Sequence, residues 1–266
     1  FFGFNRLSIV DLSSMANQPM VDIGSERMIV FNGEIYNHSK LRNFLKTKDY
    51  IFQTSSDTEV ILKAYDFWKD NLVEHLEGMF SIVIYDPKEN KIFFARDRAG
   101  EKPLYFYKNN KTFYLSSEIK PIHHDSKNKN ISIDALNNYF KNGYSPKDKS
   151  MLNGIKKLKP GHKANLDLNS LELTINRYWN LDEQISMPLK NSNKKNDYYV
   201  NKFEKLLGNA VQEQLIADVP VGMMLSGGVD SSLVVATASK YFEKLNIFTV
   251  IFPQMKKYDE SKHAQL

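Results

Sequence analysis

The sequence predicts a mixed α+β domain over residues 1–178, a polar linker over 179–196 and the opening of a parallel α/β domain over 197–266. Three observations carry that division. Short apolar runs separated by turn residues crowd the first part, the pattern of antiparallel strands. A polar Asn/Ser/Lys stretch containing Pro188 follows Asn180. Beyond it a long helical pattern leads into a strand, a Ser-Gly-Gly loop, a helix and another strand, the β-loop-α-β unit from which parallel sheets are built.

Taken in order, Met28 to Phe31 is an apolar run ending at Asn32-Gly33, the form of a buried strand meeting a turn. Leu41 to Leu45 predicts a short helix. Asp57-Thr58-Glu59 opens a longer amphipathic helix through Trp68, its acidic first turn suiting a helix N-terminus. Four short runs follow, Met79 to Tyr85, Lys91 to Ala95, Leu104 to Tyr107 and Thr112 to Leu115, separated by Asp86-Pro87, Gly100 and Asn109-Asn110. They predict one antiparallel meander. Ile133 to Phe140 predicts a helix, and Pro160-Gly161 a turn before the strand pair Lys163 to Leu166 and Leu173 to Ile175. After the linker, Phe203, Leu206, Leu207, Ala210, Val211 and Leu215 recur at helical spacing within Tyr198 to Ile216. Val221 to Leu225, Ser231 to Phe242 and Ile247 to Phe252 then predict strand, helix and strand.

An apolar fraction of 42% and an aromatic fraction of 12% suit a soluble globular chain. No run approaches the ~18 unbroken apolar residues of a membrane span. Phe1 to Arg6 lacks the apolar core and cleavage site of a signal peptide, and an initiator Met, so we expect it to be a cut end. There is no cysteine, which excludes a disulfide scaffold, a thiolate metal site and a cysteine nucleophile within the chain and fits a reducing, cytoplasmic setting. The net charge of +5 does not mark a nucleic-acid surface. Lys127, Lys129, Lys190, Lys194 and Lys195 sit in Asn- and Ser-rich stretches that predict solvated loops. His123-His124 has no metal-ligand spacing.

The sharpest local signal is Ser226-Gly227-Gly228-Val229-Asp230-Ser231-Ser232, between a strand and a helix. Glycines let the backbone pass close to an anion, and the N–H groups and dipole of the following helix favour one. Asp230 would repel phosphate by itself, which predicts a Mg²⁺ ion between them. The absence of a Gly-Lys-Ser/Thr ending excludes a Walker A loop. The motif resembles the SGGxDS loop of the ATP pyrophosphatase family, whose members cleave ATP between the α and β phosphates and adenylate an oxygen. The resemblance implies an ATP site at Leu225, Ser226, Gly227, Gly228, Asp230, Ser231, Ser232 and Val250. A Gly-Gly turn that merely joins strand to helix is the plainer alternative.

Three separated motifs precede it: Arg6 to Asp11 (RLSIVD), Phe31 to Asn37 (FNGEIYN) and Ser56 to Glu59 (SDTE). Ala95 to Arg98, Lys102 to Tyr105 and Ser117 to Lys120 are weaker echoes. Together they resemble class II glutamine amidotransferases. With the SGGxDS loop they resemble the glutamine-hydrolysing asparagine synthetase family across essentially the whole chain. The resemblance implies an N-terminal-nucleophile-type αββα sandwich followed by the start of a synthetase domain. It implies glutamine, aspartate and ATP as substrates, Mg²⁺, no nucleic-acid or membrane partner, and a cytoplasmic homodimer. Amide hydrolysis passes through an oxyanion that preorganised donors must meet. The resemblance places Asn32 and Gly33 there, Arg6 on the glutamine carboxylate, Asp57 with Glu34 near its ammonium, and the backbone of Leu7, Ser8, Ile9 and Val10 along the pocket.

Taken singly, these residues have plainer roles: Arg6 as a surface ion pair, Asn32-Gly33 as a hairpin turn and Asp57 as a helix N-cap. In the family the nucleophile is an N-terminal cysteine. Its absence here predicts truncation upstream and no glutamine hydrolysis by the chain as written. The parallel domain is likewise expected to be cut, with the rest of the nucleotide and acceptor sites in further sequence. Three alternatives stay open: an amidotransferase acting on another carboxylate, an enzyme that adenylates a tRNA base, and a copy that binds glutamine or ATP without turnover.

Overall fold

The structure is a computed structural model that describes residues 1–109, 112–126, 130–145, 148–185, 196–252, 254–255 and 259–265. It divides into two units, Phe1–Leu7 with Ser13–Met187, and Ser8–Leu12 with Pro188–Leu266. The centre of the expected linker, Asn110 of one expected turn and the five loop lysines named above lie outside the described residues.

The first unit runs β1 (Met20–Val21), β2 (Met28–Ile35), α1 (His38–Lys46), α2 (Asp57–Trp68), α3 (Leu72–His75), β3 (Gly78–Asp86), β4 (Lys91–Arg96), β5 (Tyr105–Lys108), β6 (Phe113–Ser116), α4 (Ile119–Ser126), α5 (Ile133–Asn142), β7 (Lys156–Lys157), β8 (His162–Asp167), β9 (Leu173–Arg177) and α6 (Leu181–Ile185). Its strands form an antiparallel six-stranded sheet, β1-β2-β3-β4-β8-β9, and a three-stranded sheet, β6-β5-β7. The expected single meander is therefore two sheets. The chain leaves the first after β4 and enters the second at β5. An apolar run four residues long does not encode which sheet it joins.

The pleat explains why β3 and β4 are apolar on both faces. Phe80, Ile82 and Ile84 of β3, with Phe93 and Ala95 of β4, pack among Leu41, Leu45, Val60, Ile61 and Tyr65 of α1 and α2. The alternate residues Val83 and Phe94 pack instead with Leu104, Leu158 and Leu166, and with Phe113 and Leu115 of β6. Helix α4 contacts β5 and β6. The layers are thus helix, sheet, sheet, helix, as a two-faced strand pattern requires. The expected turn at Asn32-Gly33 is absent, because β2 continues to Ile35, pairing Asn32 with Ser81 and Gly33 with Phe80. Burial of Ile29, Phe31 and Ile35 on the helix side carries the strand past the turn-forming dipeptide.

The second unit holds α7 (Asn196–Gln214), β10 (Gly222–Met224), α8 (Val229–Ala238), β11 (Asn246–Phe248) and α9 (Ser261–Ala264). Strands β10 and β11 pair in parallel, and α8 packs on α7. Among the described residues no helix is long and apolar enough to cross a membrane.

Candidate functional site

Apart from Ser8, Ile9 and Val10, the expected residues form two groups, each within one unit. The first lies at the carboxyl end of β2, which is held on both edges. On one side, Gln18 extends the short β1 with its side chain: Oε1 accepts from the Phe31 N–H at 2.6 Å, and Nε2 donates to the Phe31 carbonyl at 3.2 Å. On the other, β3 runs so close that a Cβ at Gly33 would overlap the Met79 carbonyl oxygen. Gly33 takes φ +148°, which only glycine adopts without strain. Phe31 sends its N–H to Gln18 and Ile35 sends its own to Asp57, at 3.1 Å. Gly33 stands between them in the same alternation. Asn32, alternating with Val30, lines a pocket of about 650 Å³ between the two sheets, with Phe4, Ser81, Leu104 and Ser116.

Asp57 is placed by the turn before α2. Ser56, not Asp57, is the N-cap, its hydroxyl accepting from the Glu59 N–H. The Glu59 carboxylate reaches back to the N–H groups of Gln53 and Thr54. Arg42 donates to the carbonyls of Thr54 and Ser56. So fixed, Asp57 is only 5% exposed. Burial raises its pKa, against the opposing Ile35 N–H and His38. Burial, and then the Asp57 charge, push Glu34 up to about 7, while Lys102 and Arg6 pull it down. Arg6 donates from Nη1 to the Ser13 carbonyl at 2.8 Å and to Asn17 Oδ1 at 3.1 Å. One carboxylate and two cations therefore act on Glu34 at one end of β2, a charge pattern that suits a zwitterion.

Leu7 is 82% exposed, and Ser8, Ile9 and Val10 group with the second unit rather than with Arg6. There the Ile9 carbonyl accepts from the Asp218 N–H at 2.9 Å. The residues missed by sequence reasoning are Gln18, Asp97 and Lys102. Asp97 and Lys102 stood in the weaker motif echoes, without a role. Gln18 had no signal, because a side chain standing in for a strand leaves no periodicity.

The second group lies at the carboxyl ends of the parallel strands, where open α/β sheets bind ligands. Leu225 follows β10, its N–H donating to the Phe248 carbonyl at 2.8 Å, and Val250 follows β11. Helix α8 starts two residues earlier than expected, so Val229, Asp230 and Ser231 form its first turn. Gly228 is its N-cap and makes no side-chain cap bond. An uncapped helix start in this position suits a phosphate group. Ser231 Oγ donates to the Gly228 carbonyl and lies 3.0 Å from Ser226 Oγ, which closes the loop. The acidic Asp230 in a first turn also has a plain dipole role. Among the described residues no cluster of three metal-ligating side chains occurs.

Residues 1–179 match the family model described as a glutamine amidotransferase domain. The chain belongs to that family. This amidotransferase chain also matches, over residues 202–266, the family described as asparagine synthase. It is 35% identical to glutamine-hydrolyzing asparagine synthetase 3 of Bacillus subtilis, over 99% of this chain and 43% of that protein. It is 34% identical to glutamine-hydrolyzing asparagine synthetase 1 of the same organism, over 95% and 39%. A putative glutamine-hydrolyzing asparagine synthetase 2 of Methanocaldococcus jannaschii matches at 34%, over 99% and 53%. The chain thus spans about half the length, or less, of these relatives. A solved glutamine phosphoribosylpyrophosphate amidotransferase from B. subtilis aligns with 90% of the chain at 18% identity and a TM-score of 0.43.

Proposed function

We propose that this chain carries the glutamine site and the ATP pyrophosphate site of a glutamine-dependent asparagine synthetase. The observation that carries the reading is the meeting of Arg6, Glu34 and Asp57 at the end of the strand that bears Asn32 and Gly33. Free glutamine presents a carboxylate for Arg6, an ammonium for Asp57 and Glu34, and an amide. The Asn32 side-chain N–H and the Gly33 backbone N–H meet the oxyanion formed as that amide is hydrolysed to glutamate and ammonia.

In the second unit, Ser226 to Ser232 cradle the ATP phosphates at the start of α8, with Leu225 and Val250 beside the nucleotide. Asp230 would hold a Mg²⁺ ion, which would supply charge neutralisation for the phosphates. The aspartate side-chain carboxylate attacks the α phosphorus, pyrophosphate leaves, and ammonia displaces AMP to give asparagine. Adenylation turns a poor leaving oxygen into a good one. The family names of the relatives support aspartate as acceptor. The family resemblance also carries a cytoplasmic location and a homodimer, with no nucleic-acid or membrane partner.

The test, made on the full-length protein, is exchange of labelled pyrophosphate into ATP with Mg²⁺. Exchange that requires L-aspartate is the expected result. Exchange that requires a different carboxylate would replace aspartate as the acceptor. Mg-ATP binding with no exchange under any carboxylate would reduce the second unit to a binding module.

A further inference from the structure

The loop after β4 is held by one charged pair. The Asp97 carboxylate accepts from the backbone N–H groups of Gly100 at 2.5 Å, Glu101 at 2.9 Å and Lys102 at 3.0 Å. It also accepts from the Phe80 N–H at 3.2 Å, and the Asp97 N–H donates back to the Phe80 carbonyl at 2.9 Å. The neighbouring Arg96 binds the same loop through its carbonyls. Its Nη2 donates to Gly100 at 2.6 Å, its Nε to Lys102 at 2.7 Å and its Nη1 to Leu158 at 2.8 Å. Asp97 is buried and Arg96 nearly so. Gly100, at φ +73°, lets the chain wrap the guanidinium, where a Cβ would come within 3.2 Å of Arg96 Cζ.

Lys102 is therefore pinned at both its backbone N–H and its carbonyl, and Pro103 restricts the chain beyond it. Its anchor, Phe80, is the partner of Gly33 across β2 and β3. The half-buried Lys102 ammonium acts on the Glu34 carboxylate from this fixed base. We propose that Lys102 is a positioning cation of the glutamine cradle, held by Arg96 and Asp97 to balance the Glu34–Asp57 carboxylate pair. The role in glutamine binding rests on the function proposed above.

Without such a cation, two carboxylates in a half-buried site cannot both stay ionised, and one takes up a proton instead of a ligand's ammonium. The charged and titratable groups around Glu34 are Asp57 from α2, Lys102 from the loop, Arg6 from the amino-terminal segment and Tyr36 beyond β2. His38 acts on Asp57, and Glu101 and Asp97 act on Tyr36. Lys102 and Arg6 are the cations among them that act on Glu34 directly.

The experiment is a pH titration of Glu34 in the full chain by NMR with ¹³C-labelled glutamate side chains, and it needs no ligand. Lys102→Met should move the Glu34 midpoint up by roughly half a unit. Lys102→Arg should restore it. Asp97→Asn, which frees the loop while keeping the lysine, should shift it in the same direction as Lys102→Met. Lys102→Met titrating at the wild-type midpoint, or Lys102→Arg shifting as far as Met, would overturn the proposal. Because Glu34 is read directly, a failure here is distinct from a failure of glutamine to bind.

Discussion

Gly33→Ala is expected to cost about 4 kcal/mol of stability or more, and to abolish ligand binding at the end of β2. The new Cβ would overlap the Met79 carbonyl oxygen and come within 2.8 Å of Phe80 Cα. Both are backbone atoms of a central strand, so no rotamer change relieves the clash. The φ of +148° adds strain for any residue with a side chain. Either β2 separates from β3 at this point or the alanine forces the backbone to a new φ, and both displace Asn32. Gly143→Ala is the control. It also has a positive φ, +79°, at the C-cap of α5, but nothing lies within 4 Å of its Cβ. It should cost only about 1 kcal/mol. Urea denaturation of the two variants measures the contrast. Equal losses would mean that conformation, and not the close approach of β3, sets the requirement for glycine at position 33.

Arg27→Met is expected to destabilise the first unit by about 3–5 kcal/mol at neutral pH. Arg27 is 2% exposed and donates from Nε to Asp86 Oδ2 at 2.8 Å, and from Nη1 to Asp66. It ties the start of β2 to the end of β3 and the last turn of α2. Methionine fills much of the same volume, so the loss is electrostatic: Asp86, fully buried, keeps its charge without a cation. Asp66 is half exposed, also accepts from the Tyr50 hydroxyl, and contributes less. In the parent both carboxylates lie below their usual pKa against the opposing effect of burial, Asp66 through the Tyr50 hydroxyl and then Arg27, and Asp86 through Arg27. That stability is present above the unfolded carboxylate pKa and is lost as pH falls through the lower folded value. The deficit of the variant should therefore shrink as the pH drops below about 4. A loss under about 1 kcal/mol at pH 7 would contradict a buried, uncompensated Asp86.

Much of this was legible where the sequence pattern is local. Helix α2 begins at Asp57 and ends at Trp68, as its acidic start and apolar spacing predict. Strand β3 is longer than expected by one residue at each end, and β4 by one residue at its carboxyl end. The misses are non-local or rest on side chains. Helix α4 was not foreseen because Pro121 sits in it and only Ile122 is buried, although a first-turn proline is tolerated. Strand β7 is two lysines, placed by pairing with Tyr105 and Phe106, with no apolar pattern of its own. Strand β11 stops at Phe248 instead of running on to Phe252. At the site, the motifs named Arg6, Asn32, Gly33, Glu34 and Asp57 as a set, and their chemistry indicated a zwitterion. Lys102 stayed hidden because its role depends on Arg96 and Asp97 folding the loop back, which sequence spacing does not show.

In the proposed function, the end of β2 recognises the zwitterion of free glutamine. Titration calorimetry of L-glutamine into the full chain tests it most directly, with glutaramic acid, which lacks the α-ammonium, as the comparison ligand. Burial and the Asp57 charge push Glu34 up to about 7, so it must lose its proton before it can hold an ammonium. The expected result is one glutamine per chain, bound about tenfold more weakly at pH 6 than at pH 8. Binding should be lost in Asp57→Asn, and glutaramic acid should not bind. No heat from glutamine at pH 8, or glutaramic acid binding as tightly as glutamine, would contradict it.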